Sequence, residues 1–370
     1  MVVFIIIFII ILFAVQYYSK GNSLKGIKYD YGFSKKLIEI GETTELISVV
    51  TNESQRIVSF IRMVESLPKG VRPLNRNVFI YEDALGLGYL RYESSIYLMA
   101  RSKLQRKLHL TFDKRGRYAF GGATLRGGDF LGFTEQAETF HEFREIIVYP
   151  KAINAPQLQE IMGGFLGNIS VRRFIMEDPI LTIGTREYTG REPLKQMSWK
   201  HTARTNQMMV KQFDYTTEMV VTVFLDISRM RDQTITPEEY ESCFSLTRTV
   251  CQYLDQKKMP YEFISNAFIE GGMNDQSQAQ SLGKAHLRSI LEQLGRASYK
   301  TWRPYREVID QLVAEQEKNR STIIITPQRN TRKHQLAERL RENTTGSVTF
   351  IYGEDFHVST EVIQDDDASA

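Results

Sequence analysis

The chain has 370 residues, 42% of them hydrophobic and 25% charged, with only two cysteines. That balance excludes a collagenous, disulfide-framework or wholly disordered protein, and the length suits more than one domain, since single cores stop growing near 250–300 residues. A net charge of +3 with a pI of about 8.6 is too mild to point to nucleic acid.

Met1 to Val15 is an unbroken apolar run, MVVFIIIFIIILFAV. As a helix it would cover about 22 Å, and Tyr17 and Tyr18 extend it toward the roughly 30 Å hydrocarbon core, where an interfacial aromatic belt belongs. No basic residue precedes the run and no A-x-A-like site follows, so residues 1–20 are expected to be a membrane anchor rather than a cleaved signal. Lys20, Lys25, Lys28, Lys35 and Lys36 follow, against Asp30 as the early acid. The positive-inside rule then predicts a single-pass protein of the cell membrane with the bulk of the chain cytoplasmic.

Residues 27–151 read as short strands and turns. Leu46, Val49 and Val50 form one apolar segment, Asn52-Glu53-Ser54 a turn, and Ile57 to Val64 the next β-rich run. Leu104, Leu108, Leu110 and Phe112 keep the even spacing of a half-buried strand. Asp113 to Gly116 turns the chain before Tyr118 and Phe120, and Glu145 to Tyr149 closes the region. Strands at this spacing without a long helix predict an all-β sandwich-like domain. Gly121-Gly122 and Gly127-Gly128 lack the pattern of a phosphate loop and read as tight turns.

Residues 152–218 form a connecting segment, and from 219 to 360 the pattern changes to alternating strands and helices. Val220 to Leu225 is a fully apolar strand. Thr236-Pro237-Glu238-Glu239 is a helix start, with Thr at the cap, Pro first and Glu third, and the helix runs to about Gln256. Tyr261 to Ile264 is the next strand. Ser281 to Leu294 reads as a helix stopped by Gly295, Tyr305 to Glu317 as another, Ser321 to Thr326 as a strand, Lys333 to Glu342 as a helix and Val348 to Tyr352 as the last strand. Apolar strands alternating with helices predict a parallel sheet covered on both faces, a Rossmann-type α/β domain. Residues 361–370, with Asp365-Asp366-Asp367, are an acidic tail expected to be disordered. The whole is an α+β multidomain chain. Cys243 and Cys251 fall on one helix with Cα atoms roughly 12 Å apart, too far to bridge, and read as small core hydrophobes.

Before the α/β region stands GTREYTGREPLKQMSWKHTARTNQMMVKQF, from Gly184 to Phe213, followed closely by MVVTVFLDIS. This pairing resembles the domain of unknown function 58 family, whose members carry R-E-Y, a Gly-acid turn, a basic residue and then W-K-x-x-A-R before a von Willebrand factor A-like domain. The matching residues are Arg186, Glu187, Tyr188, Trp199, Lys200, Ala203 and Arg204. Arg191-Glu192 stands where the pattern has Gly-Asp, and Lys195 replaces the usual arginine. The resemblance implies a β-rich module, a von Willebrand factor A-like domain and a protein partner, a MoxR-type AAA+ ATPase. Physically, the motif's cations with Tyr188 and Trp199 could bind a phosphate or an acidic surface. The favoured expectation is structural: Arg186, Glu187 and Arg204 pair internally while Trp199 packs the join between domains.

In von Willebrand factor A-like domains the first strand ends in D-x-S-x-S, whose oxygens hold Mg²⁺. Here the segment is Asp226-Ile227-Ser228-Arg229-Met230. Asp226 and Ser228 match; Met230 offers no hard oxygen, and the later strand end is Ile325-Thr326-Pro327-Gln328. Without help from a ligand or from a loop residue such as Asp275, one carboxylate and one hydroxyl are too few, so a degenerate site is expected, with the absence of a cofactor favoured and Mg²⁺ the alternative. The six histidines show no metal-ligand spacing, and neither G-x-S-x-G nor a Walker loop is present, so no catalytic residue is assigned. The sequence therefore predicts a membrane-anchored, non-enzymatic adaptor or scaffold serving assembly or maturation of other complexes, with no nucleic-acid partner. The competing reading is a hydrolase acting at the membrane face on an envelope-linked substrate.

Overall fold

A computed structural model describes residues 4–7, 9–11, 24–74, 79–82, 89–128, 135–173, 182–190, 192–213, 220–231, 233–272, 277–315 and 319–356. Within the apolar run, Phe4–Ile7 and Ile9–Ile11 are helical with exposed side chains. The remainder of the expected anchor, with Tyr17, Tyr18 and Lys20, lies outside the described residues, as do Arg191, Asp275 and the acidic tail. Among the described residues no helix is long and apolar enough to cross a membrane. The chain divides into two compact units, Met1–Lys151 with Leu291–Arg296, and Ala152–Ile290 with Ala297–Ala370.

The first unit is built of β1 (Ile27–Phe33), β2 (Leu37–Glu39), β3 (Thr44–Asn52), β4 (Val58–Pro68), β5 (Val71–Pro73), β6 (Phe79–Glu82), β7 (Tyr89–Leu98), β8 (Lys103–Phe112), β9 (Gly116–Phe120), β10 (Ala123–Gly128), β11 (Glu135–Phe140) and β12 (Arg144–Tyr149). They form sheets in the orders β1-β3-β8-β5, β11-β10-β4-β7-β6 and β2-β12-β9. β3 alternates buried and partly exposed residues along its whole length, the period-2 pattern of a sheet with one face in the core. Leu46, Ile61, Leu110, Phe112, Leu125 and Val148 meet in one core, so the unit is β-sandwich-like. Gly122 is a turn glycine, with φ of +88° and a Cβ that would fall 2.0 Å from Phe140 O. The Gly127-Gly128 pair, read as a turn from sequence, instead closes strand β10, where Gly127 pairs with Ile61 and with Gln136.

The second unit opens with α1 (Pro156–Arg173), which the sequence reading left without an element, and a hairpin of β13 (Thr182–Glu187) and β14 (Met209–Phe213) enclosing α2 (Trp199–Thr205). Next come β15 (Val220–Leu225), α3 (Pro237–Gln256), β16 (Tyr261–Ser265), β17 (Ala267–Ile269), β18 (Gln278–Ser281), α4 (Lys284–Arg296, grouped with the first unit from Leu291 on), β19 (Ala297–Thr301), α5 (Tyr305–Ala314), β20 (Arg320–Thr326), α6 (Thr331–Asn343) and β21 (Val348–Tyr352). The main sheet has the order β18-β16-β15-β20-β21. β15 pairs in parallel with β16 and β20, β20 in parallel with β21, and β18 is an antiparallel edge.

Thr236 caps α3 with a complete capping box and Pro237 opens it. Cys243 and Cys251 lie buried and unbridged on this helix. Phe224 and Ile324 pack with Tyr305, Val308, Ile309 and Leu340 of α5 and α6 on one face. The intervening residues Val223 and Ile323, also fully buried, turn to the other face. Helix boundaries differ from the sequence reading at both ends of α4, at the end of α5 and by one or two residues at α6. α4 begins at Lys284 after a strand, and Gly295 is carried inside it, because one glycine in a last turn costs only about 1 kcal/mol and does not stop a helix. α5 ends at Ala314 rather than Glu317.

Candidate functional site

In the open parallel sheet the chain leaves β15 for β16 on one side and later returns to β20 on the other. The strand order therefore reverses beside β15, and the crevice at the carboxyl ends of the strands is where such sheets place ligands. Three neighbouring strand ends deliver Asp226 (after β15), Asn266 (after β16) and Thr326 (the last residue of β20) to this point, and all three are buried.

Asp226 is fully buried, and its carboxylate is surrounded by donors. Oδ1 accepts from the Ser228 backbone N at 2.9 Å, from Ser228 Oγ at 2.6 Å and from Asn266 Nδ2 at 2.6 Å. Oδ2 accepts from Thr326 Oγ1 at 3.0 Å and lies 2.6 Å from Lys333 Nζ. Asn266 is itself oriented, since its Oδ1 accepts from Ile227 N at 2.9 Å. Lys333, in the first turn of α6, is 1% exposed. Its ammonium also donates to Ser228 O at 2.7 Å and Thr326 Oγ1 at 2.9 Å. It stands 5.8 Å from the centre of the Tyr305 ring, and the Tyr305 hydroxyl donates to Lys333 O at 3.2 Å.

The residues present do not fit a divalent ion. Such an ion needs about six oxygens with free lone pairs, whereas here Asp226 Oδ1 already accepts three hydrogen bonds and the Lys333 ammonium sits against Asp226 Oδ2 and Thr326 Oγ1. Sequence reasoning found Asp226 and Ser228 and missed Lys333, Asn266 and the part played by Thr326. A lysine in the opening turn of a helix, where the macrodipole disfavours cations, was the available signal.

The R-E-Y…W-K-x-x-A-R residues lie on the β13–β14 hairpin and α2. Arg186 pairs with Glu192 at 2.6 Å rather than with Glu187. Hydrogen bonds from Thr189, and then from Arg186, hold the Glu192 carboxyl down to about 2. Glu192, at the altered Gly-acid position, thus ties the turn to the strand. Trp199 is 65% exposed, on a seven-residue helix with no buried residue. The helix is held through Ser198 N to Met209 O at 2.8 Å and Thr202 Oγ1, which accepts from Met209 N at 3.0 Å. Tyr188 is half-buried; Glu187, Lys200 and Arg204 are exposed, and among the described residues neither Lys200 nor Arg204 has an ion-pair partner. Leu194 and Met208 of the same module are 69% and 57% exposed.

Groups with catalytic potential are sparse. Ser198 Oγ lies 3.0 Å from His201 Nδ1, but the hydroxyl is buried, the contact is local to one helix start, and among the described residues no carboxylate orients the imidazole. His286 is buried against Tyr261 O, and burial lowers its pKa. Among the described residues no three His, Cys, Asp or Glu side chains cluster in a metal-binding arrangement. A groove of about 700 Å³ beside α1 and α3, lined by Ile153, Leu158, Met162 and Tyr253 among others, has no charged side chain in its lining.

No family model matches the chain, and no curated protein matches it. Solved structures similar to part of it include cohesin modules and a CARDB domain. A cohesin module of a Clostridium perfringens family 33 glycoside hydrolase is 15% identical, covering 34% of this chain and 98% of its own, with a TM-score of 0.24. A type II cohesin domain from the cellulosome of Acetivibrio cellulolyticus is 10% identical over 32% of this chain and 94% of its own, with a TM-score of 0.25. A CARDB domain from Pyrococcus furiosus, solved with di-metal ions, is 14% identical over 33% of this chain and 91% of its own, with a TM-score of 0.22.

Proposed function

We propose that this protein is a membrane-anchored, non-enzymatic adaptor of the domain of unknown function 58 type, and that the surface bearing Trp199, Lys200 and Arg204 takes a protein partner, a MoxR-type AAA+ ATPase. The observation that carries the protein-binding part is the exposure of Trp199, 65%, beside cations that have no ion-pair partner among the described residues. An exposed tryptophan flanked by basic side chains is the composition of an interface hot spot, and leaving it in water gains the isolated chain nothing. The sheet order, with parallel strands and one antiparallel edge, supports the von Willebrand factor A-like reading of the second unit. The apolar run from Met1 to Val15, helical with exposed side chains where it is described, supports the anchor. The ATPase itself comes from the motif resemblance alone.

The test is in-cell crosslinking and pull-down of the tagged full-length chain, beside Trp199→Ala and a Lys200→Glu/Arg204→Glu double variant. Recovery of an AAA+ ATPase that both variants reduce at least tenfold supports the reading. Equal recovery with both, or no stoichiometric partner, removes it.

A further inference from the structure

We infer that the strand-end site carries a built-in cation: the Lys333 ammonium occupies the position that a D-x-S-x-S site would give to a divalent ion, and it closes the site permanently. The proposal stands independently of the partner reading, since it concerns the chemistry of the site alone.

The donor and acceptor accounting closes around this one nitrogen. An ammonium has three protons, and Asp226 Oδ2, Ser228 O and Thr326 Oγ1 stand at 2.6, 2.7 and 2.9 Å to receive them. These acceptors come from the ends of β15 and β20 and the loop after β15, the loop that carries the D-x-S part of the motif. Thr326 Oγ1 receives from Lys333 and gives its own proton to Asp226, so the hydroxyl bridges the two charges. Asp226 Oδ1 is saturated by Ser228 and Asn266. Asp226 and Lys333 are 0% and 1% exposed, so neither solvent nor a partner side chain reaches the cation. An open metal site catches an acidic partner group by exchanging a water ligand; a covalently tethered ammonium with every proton engaged has no ligand to exchange. The site is a clamp that holds the ends of β15, β16 and β20 against α6, and partner recognition passes to the surfaces around it.

Burial of an ammonium is expensive unless its counter-charge and hydrogen bonds are supplied. Removing Lys333 therefore strands Asp226 and vacates a space lined by a carboxylate, a hydroxyl and a carbonyl, all hard oxygen donors of the kind that bind Mg²⁺ or Mn²⁺. The experiment is thermal unfolding and Mn²⁺ binding by titration calorimetry on the full-length protein in detergent, for the wild type, Lys333→Ala, and the Asp226→Asn/Lys333→Met pair. Expected results are no Mn²⁺ or Mg²⁺ binding by the wild type and a midpoint lower by about 10 °C for Lys333→Ala. Millimolar Mn²⁺ should recover part of that loss. The uncharged pair should fold and show no response to Mn²⁺, which keeps a readout should Lys333→Ala fail to fold. The proposal is overturned if the wild type binds Mn²⁺ in a manner abolished in the Asp226→Asn/Lys333→Met pair, or if Lys333→Ala melts like the wild type.

Discussion

Lys333 Nζ and Asp226 Oδ2 lie 2.6 Å apart with their side chains 1% and 0% exposed, so among the described residues each is the other's counter-charge. A buried pair of this kind is weak as a net source of stability but costly to break from one side, because the survivor keeps its charge and loses its partner. Asp226→Ala is expected to destabilise the second unit by about 3–5 kcal/mol, read from urea unfolding of the full-length protein. Thr326→Val, which removes a hydroxyl bridging the two charges, should cost less, about 1–3 kcal/mol. Near-wild-type midpoints for Asp226→Ala would mean that the pair is not buried in solution.

Trp199 is expected to behave in the opposite way. With the ring 65% exposed, Trp199→Ala should change stability by no more than about 0.5 kcal/mol while reducing partner capture. A large loss of stability with capture intact would return Trp199 to a packing role.

Glu65 sets a pH dependence in the β-sandwich-like unit. It is buried, accepts a hydrogen bond from Tyr29 Oη at 2.8 Å and another from Ser48 Oγ, and burial pushes its pKa above the usual value. Between the unfolded value and the raised folded value, the folded state therefore holds a proton that the unfolded chain has released. The resulting stability is fully present below the unfolded value near 4.5 and is lost as pH rises through the folded value. Glu65→Gln should remove that slope and raise the denaturation midpoint at neutral pH. Parallel pH profiles for the two proteins between about pH 5 and 8 would contradict it.

Gly346 precedes β21 where the backbone passes Arg320. A Cβ there would meet Arg320 O at 1.7 Å and Ser321 N at 2.8 Å, and backbone atoms cannot step aside as a side chain does. Gly346→Ala is expected to cost at least about 2 kcal/mol by displacing β21 from β20, with hydrogen exchange of the β21 amides as the local readout.

Thr236 offers a smaller and cleaner effect. Its side chain accepts from Glu239 N at 3.3 Å while Glu239 Oε2 accepts from Thr236 N at 2.7 Å. Thr236→Ala should cost about 1 kcal/mol, and Thr236→Asp should be close to neutral.

The sequence by itself determined the features that are local in the chain. Thr236, Pro237 and Glu239 set the start of α3 because capping is a contact between residues three apart; the even spacing of Leu104, Leu108, Leu110 and Phe112 set β8 because a strand faces its core every second residue; and the apolar runs from Val220 and from Ser321 became the central parallel strands because both of their faces are covered. Tertiary structure decided the rest. Gly295 was overridden as a helix stop since its cost is small beside that of losing a turn. Trp199 was left in solvent because α2 is too short to bury a face. Above all, Lys333 shows in its own helix only as a cation in the first turn and acquires a role only when α6 brings it beside Asp226. That pairing joins residues from distant parts of the chain, so no spacing rule could carry it; only the convergence of the strand ends with the first turn of α6 puts a tethered ammonium where the sequence suggested a vacant metal position.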